Sequence, residues 1–207
     1  MSEDRKNSIS IEIFRNQSID ELTKKLADPS SKAGAGSAAA VSAALSAALL
    51  ARVAAGIADG SDEKEKTDWY VRNTEILRSY MVNLVNEDVR CHGPLRRAMK
   101  EGDEYRVEAA RQTAVSICLE IVNMMGKALE IAEGLLPWTD EESYAVLLEA
   151  SDLAYGASLA AGRHVLWMSS LSSDDTYQYV MKRENDLTMQ EQKAAYEKIR
   201  QHRPDDR

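Results

Sequence analysis

Two aspartates interrupt apolar faces of predicted helices, and they are the residues best suited to acid–base chemistry. Asp88 follows Leu84 by four residues, and Asp152 follows Leu148 by four. Residues four apart share one side of a helix, so each carboxylate lies on an apolar side. A carboxyl group removed from water can hold or deliver a proton near neutral pH. Asp88 and Asp152 are therefore candidate catalytic general acids or bases.

His92 extends this group, because it follows Asp88 by four residues and could relay protons beside it. It also precedes Gly93-Pro94, a break where partial exposure is common. A structural role is the alternative for the aspartates, since an inward-facing carboxylate can cap a neighbouring helix or pair with a buried Arg52 or Arg163. The pattern leaves both interpretations open.

A small-residue turn is the second candidate site. Gly-Ala-Gly-Ser at 34–37 leads into the run 38–58, in which Arg52 is the only ionised side chain. Ser37 is predicted to be the N-cap of a helix, and its first turn has no acidic side chain to occupy the backbone N–H groups. Such N–H groups attract anions, although small residues also serve to bring helices close together. The candidate substrate-binding residues are Gly34, Ala35, Gly36, Ser37 and Ala38.

The run 38–58 is predicted to be the central helix of a bundle. Its larger residues recur at every fourth position, which is the ridge spacing of helix-on-helix packing. The segment is about long enough to cross a bilayer. We do not expect a membrane span, because alanine dominates and Arg52 lies well inside it.

Composition indicates a cytoplasmic, single-domain globular protein. The chain has 207 residues, a formal net charge of -8 and four prolines. The acidic balance argues against a nucleic-acid surface. Cys91 and Cys118 have no metal-site spacing and are expected to be reduced thiols, and His92, His164 and His202 are scattered. We therefore predict no metal site, and for His164 a packed, hydrogen-bonded role.

Helix signals run through nearly the whole chain, so the predicted class is all-α, with one candidate strand at 8–14. Capping-box spacings predict helix starts at Ser18, Thr139 and Thr188. Breaks are predicted at 92–94 and 136–138. The expected organisation is an N-terminal arm at 1–17, a helical domain at 18–175, and a peripheral helix with a polar tail at 176–207.

The order of four motifs resembles the cyclodeaminase/cyclohydrolase family. The motifs are Ser-Ile-Asp-Glu-Leu at 18–22, Ser-Lys-Ala-Gly-Ala-Gly-Ser-Ala-Ala-Ala at 31–40, Asn-Glu-Asp at 86–88 and Ser-Asp-Leu-Ala at 151–154. The resemblance covers about 18–175. The family's turn usually reads Pro-Gly-Gly-Gly-Ser, so Gly34, Gly36 and Ser37 match it while Ala33 and Ala35 depart.

The resemblance implies a bundle of long antiparallel helices that dimerises, with folate bound near the glycine turn and the subunit interface. It implies a hydrolase or lyase acting on a C–N bond of a tetrahydrofolate derivative, either as methenyltetrahydrofolate cyclohydrolase or as formiminotetrahydrofolate cyclodeaminase. Asp88, Asp152 and His92 would transfer protons, without a metal or a bound cofactor. The alternative is a non-catalytic dimeric module for folate binding or protein interaction.

Overall fold

Six α-helices make up nearly all of residues 16–204, the part of the chain that this computed structural model describes. No strand occurs within that range, which confirms the all-α class; the predicted strand at 8–14 lies outside it. The helices are α1 (Ile19–Ala27), α2 (Ala35–Gly60), α3 (Lys64–Glu101), α4 (Glu104–Leu135), α5 (Glu141–Ser169) and α6 (Asp175–Gln201). A 3-10 turn, Leu136–Trp138, separates α4 from α5.

The central helix is α2, which packs mainly against α3 and α5. Ala40, Ala43, Ala47 and Ala54 are fully buried, and their small side chains let the neighbouring backbones approach closely. The Ser46 hydroxyl donates to the Ala150 carbonyl at 2.7 Å, which joins α2 directly to α5. By length and composition alone α2 could also cross a membrane; here it is the core helix of the bundle.

Helix starts agree with the sequence only in part. Ser18 and Glu21 form the predicted capping box of α1. The box of α5 is formed by Asp140 with Ser143, one residue later than predicted, because the Thr139 hydroxyl donates to a carbonyl of the preceding turn. Thr188 lies inside α6, so the prediction of a helix start there was wrong.

The predicted break at 92–94 was also wrong, since Pro94 lies inside α3, which is one continuous helix of 38 residues. Proline removes one helical hydrogen bond and crowds the preceding turn, which costs about 3 kcal/mol in a helix interior. Buried Val89, Cys91 and Ala98 hold both sides of Pro94 against the rest of the protein. Tertiary packing therefore keeps α3 continuous, so His92 stays on the same helix as Asp88, one turn further along.

The last helix, α6, lies against α4 and α5. Ile199 is fully buried, and the Gln192 amide donates to the Val122 carbonyl of α4 at 2.7 Å. The Tyr144 hydroxyl of α5 donates to the Ile199 carbonyl at 2.9 Å. These contacts attach a largely polar helix to the bundle through a few buried groups.

Candidate active site

The site is built where the first turn of α2 meets the middle of α3. The Ser37 hydroxyl donates to Asp88 Oδ2 at 2.5 Å, although the two residues are 51 positions apart in sequence. Both are buried, with 0% of Ser37 and 1% of Asp88 exposed. The prediction that Asp88 faces inward is confirmed. Its carboxylate is held by a charge-assisted hydrogen bond, the stronger class of such bonds.

Gly36 is required by this contact. A Cβ atom at position 36 would lie 2.7 Å from Asp88 Cγ and closer still to Oδ1, nearer than real Cβ atoms approach such neighbours. The glycine therefore makes room for the carboxylate directly over the helix backbone. The second glycine, Gly34, is less crowded: a Cβ there would meet only His92 Nε2, at 3.9 Å.

The cap of α2 differs from the prediction. Gly34, not Ser37, is the N-cap, and it makes no side-chain hydrogen bond. The Ala38 N–H is already bonded to the Gly34 carbonyl at 3.0 Å, so the expectation of a free donor at Ala38 was wrong. The first three N–H groups of a helix have no partner within the helix, and here they belong to Ala35, Gly36 and Ser37. The potential anion-binding groups therefore lie earlier along the turn than the sequence suggested.

His92 lies between Asp88 and the surface. Its Nε2 is 3.8 Å from Asp88 Oδ1, and its side chain is 22% exposed while that of Asp88 is 2% exposed. This is the distance of an ion pair rather than of a direct hydrogen bond. The imidazole is therefore the group of this pair that a bound molecule would meet first.

His164 of α5 adds a third ionisable group that the sequence analysis assigned only a packing role. Burial lowers the pKa of His164; the charge of Asp88 opposes that shift and the charge of His92 adds to it. The charges of Asp88 and His92, both on α3, therefore act on His164 of α5. No spacing along the sequence relates His164 to Asp88; the two helices both pack against α2, and only the tertiary structure reveals the association.

Cys91 completes the cluster on its buried side. Its thiol donates to the Asp88 backbone carbonyl at 2.9 Å, and burial, aided by the Asp88 charge, raises its pKa to about 12. Potential ligand atoms of Asp88, Cys91 and His92 lie within 4.8 Å of one another, a spacing that a metal ion could bridge. A neutral thiol is a poor ligand because the thiolate is the binding form. The absence of a metal stays a prediction.

Asp152 does not join this group. It is exposed, so the prediction that its carboxylate faces inward was wrong. The Tyr196 hydroxyl of α6 donates to Asp152 Oδ1, and the Tyr196 ring stacks on Tyr155 at 4.7 Å. Twelve residues separate Asp152 from His164 on α5, or about 18 Å along the helix axis. The apolar line around Asp152 thus faces α6 and solvent rather than Asp88.

The fold is thus an all-helical bundle in which a buried carboxylate lies against the N-terminal end of the central, alanine-rich helix. The profile of the formiminotransferase-cyclodeaminase family matches residues 18–186. The chain therefore belongs to this family, which confirms the resemblance drawn from the four sequence motifs.

The fold is also that of a solved relative. The crystal structure of formiminotetrahydrofolate cyclodeaminase from Thermotoga maritima, at 2.80 Å resolution, superposes with a TM-score of 0.83 over 89% of this chain and 94% of that chain. The two sequences are 20% identical, so this comparison establishes the shared fold. A search of the curated proteins finds no match.

Proposed function

We propose that this protein is a folate one-carbon enzyme that acts on a C–N bond of a tetrahydrofolate derivative. The two candidate reactions are those of methenyltetrahydrofolate cyclohydrolase and formiminotetrahydrofolate cyclodeaminase. The observation that carries the proposal is the buried Asp88 carboxylate, held by Ser37 and approached from the surface side by His92. Membership of the family supports the choice of folate as the substrate class.

Both reactions need one positioned proton-transfer group. In the hydrolase reaction, water adds to the methenyl carbon and gives up a proton; the bond from that carbon to N5 then breaks as N5 gains a proton and the hydroxyl loses one, which leaves a formyl group on N10. In the deaminase reaction, N10 attacks the formimino carbon and loses its proton, and the former imino nitrogen is protonated and leaves as ammonia. Each passes through a tetrahedral carbon between two nitrogens, so the same acid–base pair can serve either.

We assign this proton transfer to Asp88 and His92. His92 is partly exposed and can meet the water or the leaving nitrogen, while the Asp88 carboxylate, 3.8 Å from its Nε2, orients the imidazole. The 3.8 Å separation in the free protein is compatible with a hydrogen bond that forms on substrate binding. Asp152 has no part in the proposal because it is exposed and bonded to Tyr196.

The test uses Asp152 as the matched control for Asp88. We expect Asp88→Asn to lower turnover by roughly 100-fold or more, the usual worth of a positioned acid or base. Asp152→Asn should retain turnover. Loss of 5,10-methenyltetrahydrofolate absorbance, corrected for spontaneous hydrolysis, measures the hydrolase reaction, and its appearance from 5-formiminotetrahydrofolate measures the deaminase.

Full turnover by a folded Asp88→Asn variant would contradict the assignment. Binding of reduced folate without turnover of either substrate by the unmodified protein would instead identify a non-catalytic module. The altered turn, with Ala35 in place of a family glycine, is the feature that favours this second candidate.

The proposal also includes a homodimer and a cytoplasmic location. Ala35 is exposed and His92 partly exposed in the single chain, so the mouth of the site is open at the surface. A second copy could close it and exclude water from the reacting carbon, which strengthens the electrostatic interactions there.

A further inference from the structure

Trp167 of α5 is a large aromatic side chain that stays exposed although it neighbours a group of the candidate site. Its exposed fraction is 57%, and it follows His164 by three residues, so the two lie on the same side of α5. Their ring centroids are 5.4 Å apart, with 51° between the ring planes. Gly162 faces Asn185 of α6 and is rotated about 140° from Trp167 around the helix, so α6 packs on a different side.

The packing of α2 against α5 places His164 level with the start of α2. The two helices run antiparallel, because a cleft is lined by the C-terminal part of α2 together with the N-terminal part of α5. The Ser46 hydroxyl marks where they touch, at the Ala150 carbonyl. From Ser46 back to Gly34 is about 18 Å along α2, and from Ala150 on to His164 is about 21 Å along α5. Gly34 and His164 therefore lie at nearly the same level of the bundle.

His92 lies at this level too, on the other side of α2. Ser37 binds α3 and Ser46 binds α5, and their nine-residue separation directs the two side chains to opposite sides of α2. A Cβ atom at Gly34 would lie 3.9 Å from His92 Nε2. Burial lowers the pKa of His164, and the charge of His92 lowers it further. The start of α2 thus lies between one imidazole from α3 and another from α5.

We propose that the Trp167 indole stacks on a flat conjugated ring of the bound folate, which makes Trp167 a substrate-binding residue. This inference rests on the proposed function for the identity of the ligand. A tetrahydrofolate carries such a ring on each side of its reacting carbon: the pyrimidine part of the pterin beyond N5, and the benzoyl ring beyond N10. Trp167 is about 4.5 Å past His164 along the helix axis, within reach of either ring of a molecule held at His92.

The physical reason is the apolar area of the indole. An exposed tryptophan leaves a large apolar face in water, and a second flat ring stacked on it removes both faces from water. The neighbouring His164 ring restricts the positions open to the indole, so less side-chain freedom is lost when the ligand binds. Trp167 therefore offers a preorganised aromatic surface at the edge of the site.

Tryptophan fluorescence tests the stacking without relying on activity. Trp69 is the matched control, because it is 48% exposed and precedes Asp88 by 19 residues on α3, or about 28 Å. Titration with 5-formyltetrahydrofolate, a stable reduced folate, should quench the emission of the unmodified protein. We expect most of this quenching to disappear in Trp167→Phe and to persist in Trp69→Phe. Free tryptophan amide, titrated in the same way, corrects for absorption by the folate. Equal quenching of the two variants would overturn the proposal.

Kinetics and calorimetry give a second measurement. Trp167→Ala should raise KM, and the Kd for 5-formyltetrahydrofolate, by roughly 5-fold or more, the usual effect of removing an aromatic ring on which a base stacks. The loss in kcat/KM should come mainly from KM, because a stacked ring binds substrate and transition state alike. Trp167→Phe should recover much of the affinity, and Trp69→Ala should keep it. A folded Trp167→Ala variant with unchanged KM and Kd would contradict the stacking.

Two fragments of the substrate identify the ring. Calorimetry with 6-methyltetrahydropterin and with p-aminobenzoylglutamate compares their affinities for the unmodified protein and for Trp167→Ala. The fragment that loses affinity contains the stacked ring. Affinities that are the same in both proteins for both fragments would exclude Trp167 from the site.

This inference and the proposed function fail separately. Quenching through Trp167 with no turnover of either folate by the unmodified protein would refute the proposed reaction and leave the stacking in place. Turnover with an unchanged KM in Trp167→Ala would refute the stacking and leave the reaction in place.

Discussion

Gly36→Ala is the most direct test of how α2 and α3 build the site. The added Cβ would lie 2.7 Å from Asp88 Cγ, so the carboxylate must move and its 2.5 Å hydrogen bond from Ser37 breaks. We expect the variant to fold less stably and to lose turnover. The cause would be the displaced carboxylate, since glycine at position 36 has ordinary helical geometry.

The magnitude follows from three contributions. Forcing extra atoms into a packed region costs roughly 1–3 kcal/mol, and loss of a hydrogen bond to a charged group costs roughly 1.5–3 kcal/mol. Replacing glycine by alanine within a helix stabilises the folded state by about 0.5–1 kcal/mol, which offsets part of this loss. The net loss is about 1.5–5.5 kcal/mol, which lowers Tm by roughly 3–22 °C in a domain of this size.

Gly156→Ala is the matched control, because a Cβ atom at this helical glycine of α5 meets nothing within 4 Å. It should stabilise the protein by about 0.5–1 kcal/mol. Urea unfolding and thermal melting measure both variants, and the folate assays measure turnover. In an Asp88→Ala background the clash disappears, so Gly36→Ala should change stability by less than about 1 kcal/mol. Equal stability of the Gly36 and Gly156 variants, or a loss that persists without the Asp88 carboxylate, would refute the reasoning.

Three further predictions concern neighbouring groups. Ser37→Ala should lower turnover and cost about 1.5–3 kcal/mol in urea unfolding, whereas Ser46→Ala, which loses a bond to a neutral carbonyl, should cost about 0.5–1.5 kcal/mol and retain turnover. Burial lowers the pKa of His164, so between the lowered pKa and the ordinary one the unfolded chain binds a proton on this imidazole more readily than the folded chain does. The free energy of unfolding should therefore fall as the pH drops below about 6.5, and it should fall less steeply in the His164→Gln variant. Cys91, with its pKa raised to about 12, should react with iodoacetamide at pH 8 far more slowly in the native protein than in urea, and rapid native labelling would contradict its burial.

The sequence predicted the α-helical class and most of the helix positions because these depend on local information. Apolar residues at intervals of three and four, and the capping box at Ser18, are properties of short segments. The errors occurred where tertiary packing overrides local preference. Pro94 signals a break, yet buried residues on both sides keep α3 continuous through it.

Asp88 and Asp152 show what the sequence could not predict about the site. Both lie on apolar lines with the same four-residue spacing, so the sequence alone treats them alike. Helical periodicity identifies residues that share a face, but it does not identify what packs against that face. The line containing Asp88 meets α2, whereas Asp152 lies at the surface beside Tyr196 of α6.

By itself, the sequence determined the helical class and, through the order of four motifs, the family. Only the tertiary structure showed that Asp88 requires a glycine at position 36 and that the Ser37 hydroxyl donates to Asp88. It also showed that the charge of Asp88 acts on His164. The physical reason is the distance along the sequence between the residues that interact. Helix formation is decided within a few residues, whereas the site depends on contacts between α2, α3 and α5 that only close packing of the folded bundle creates.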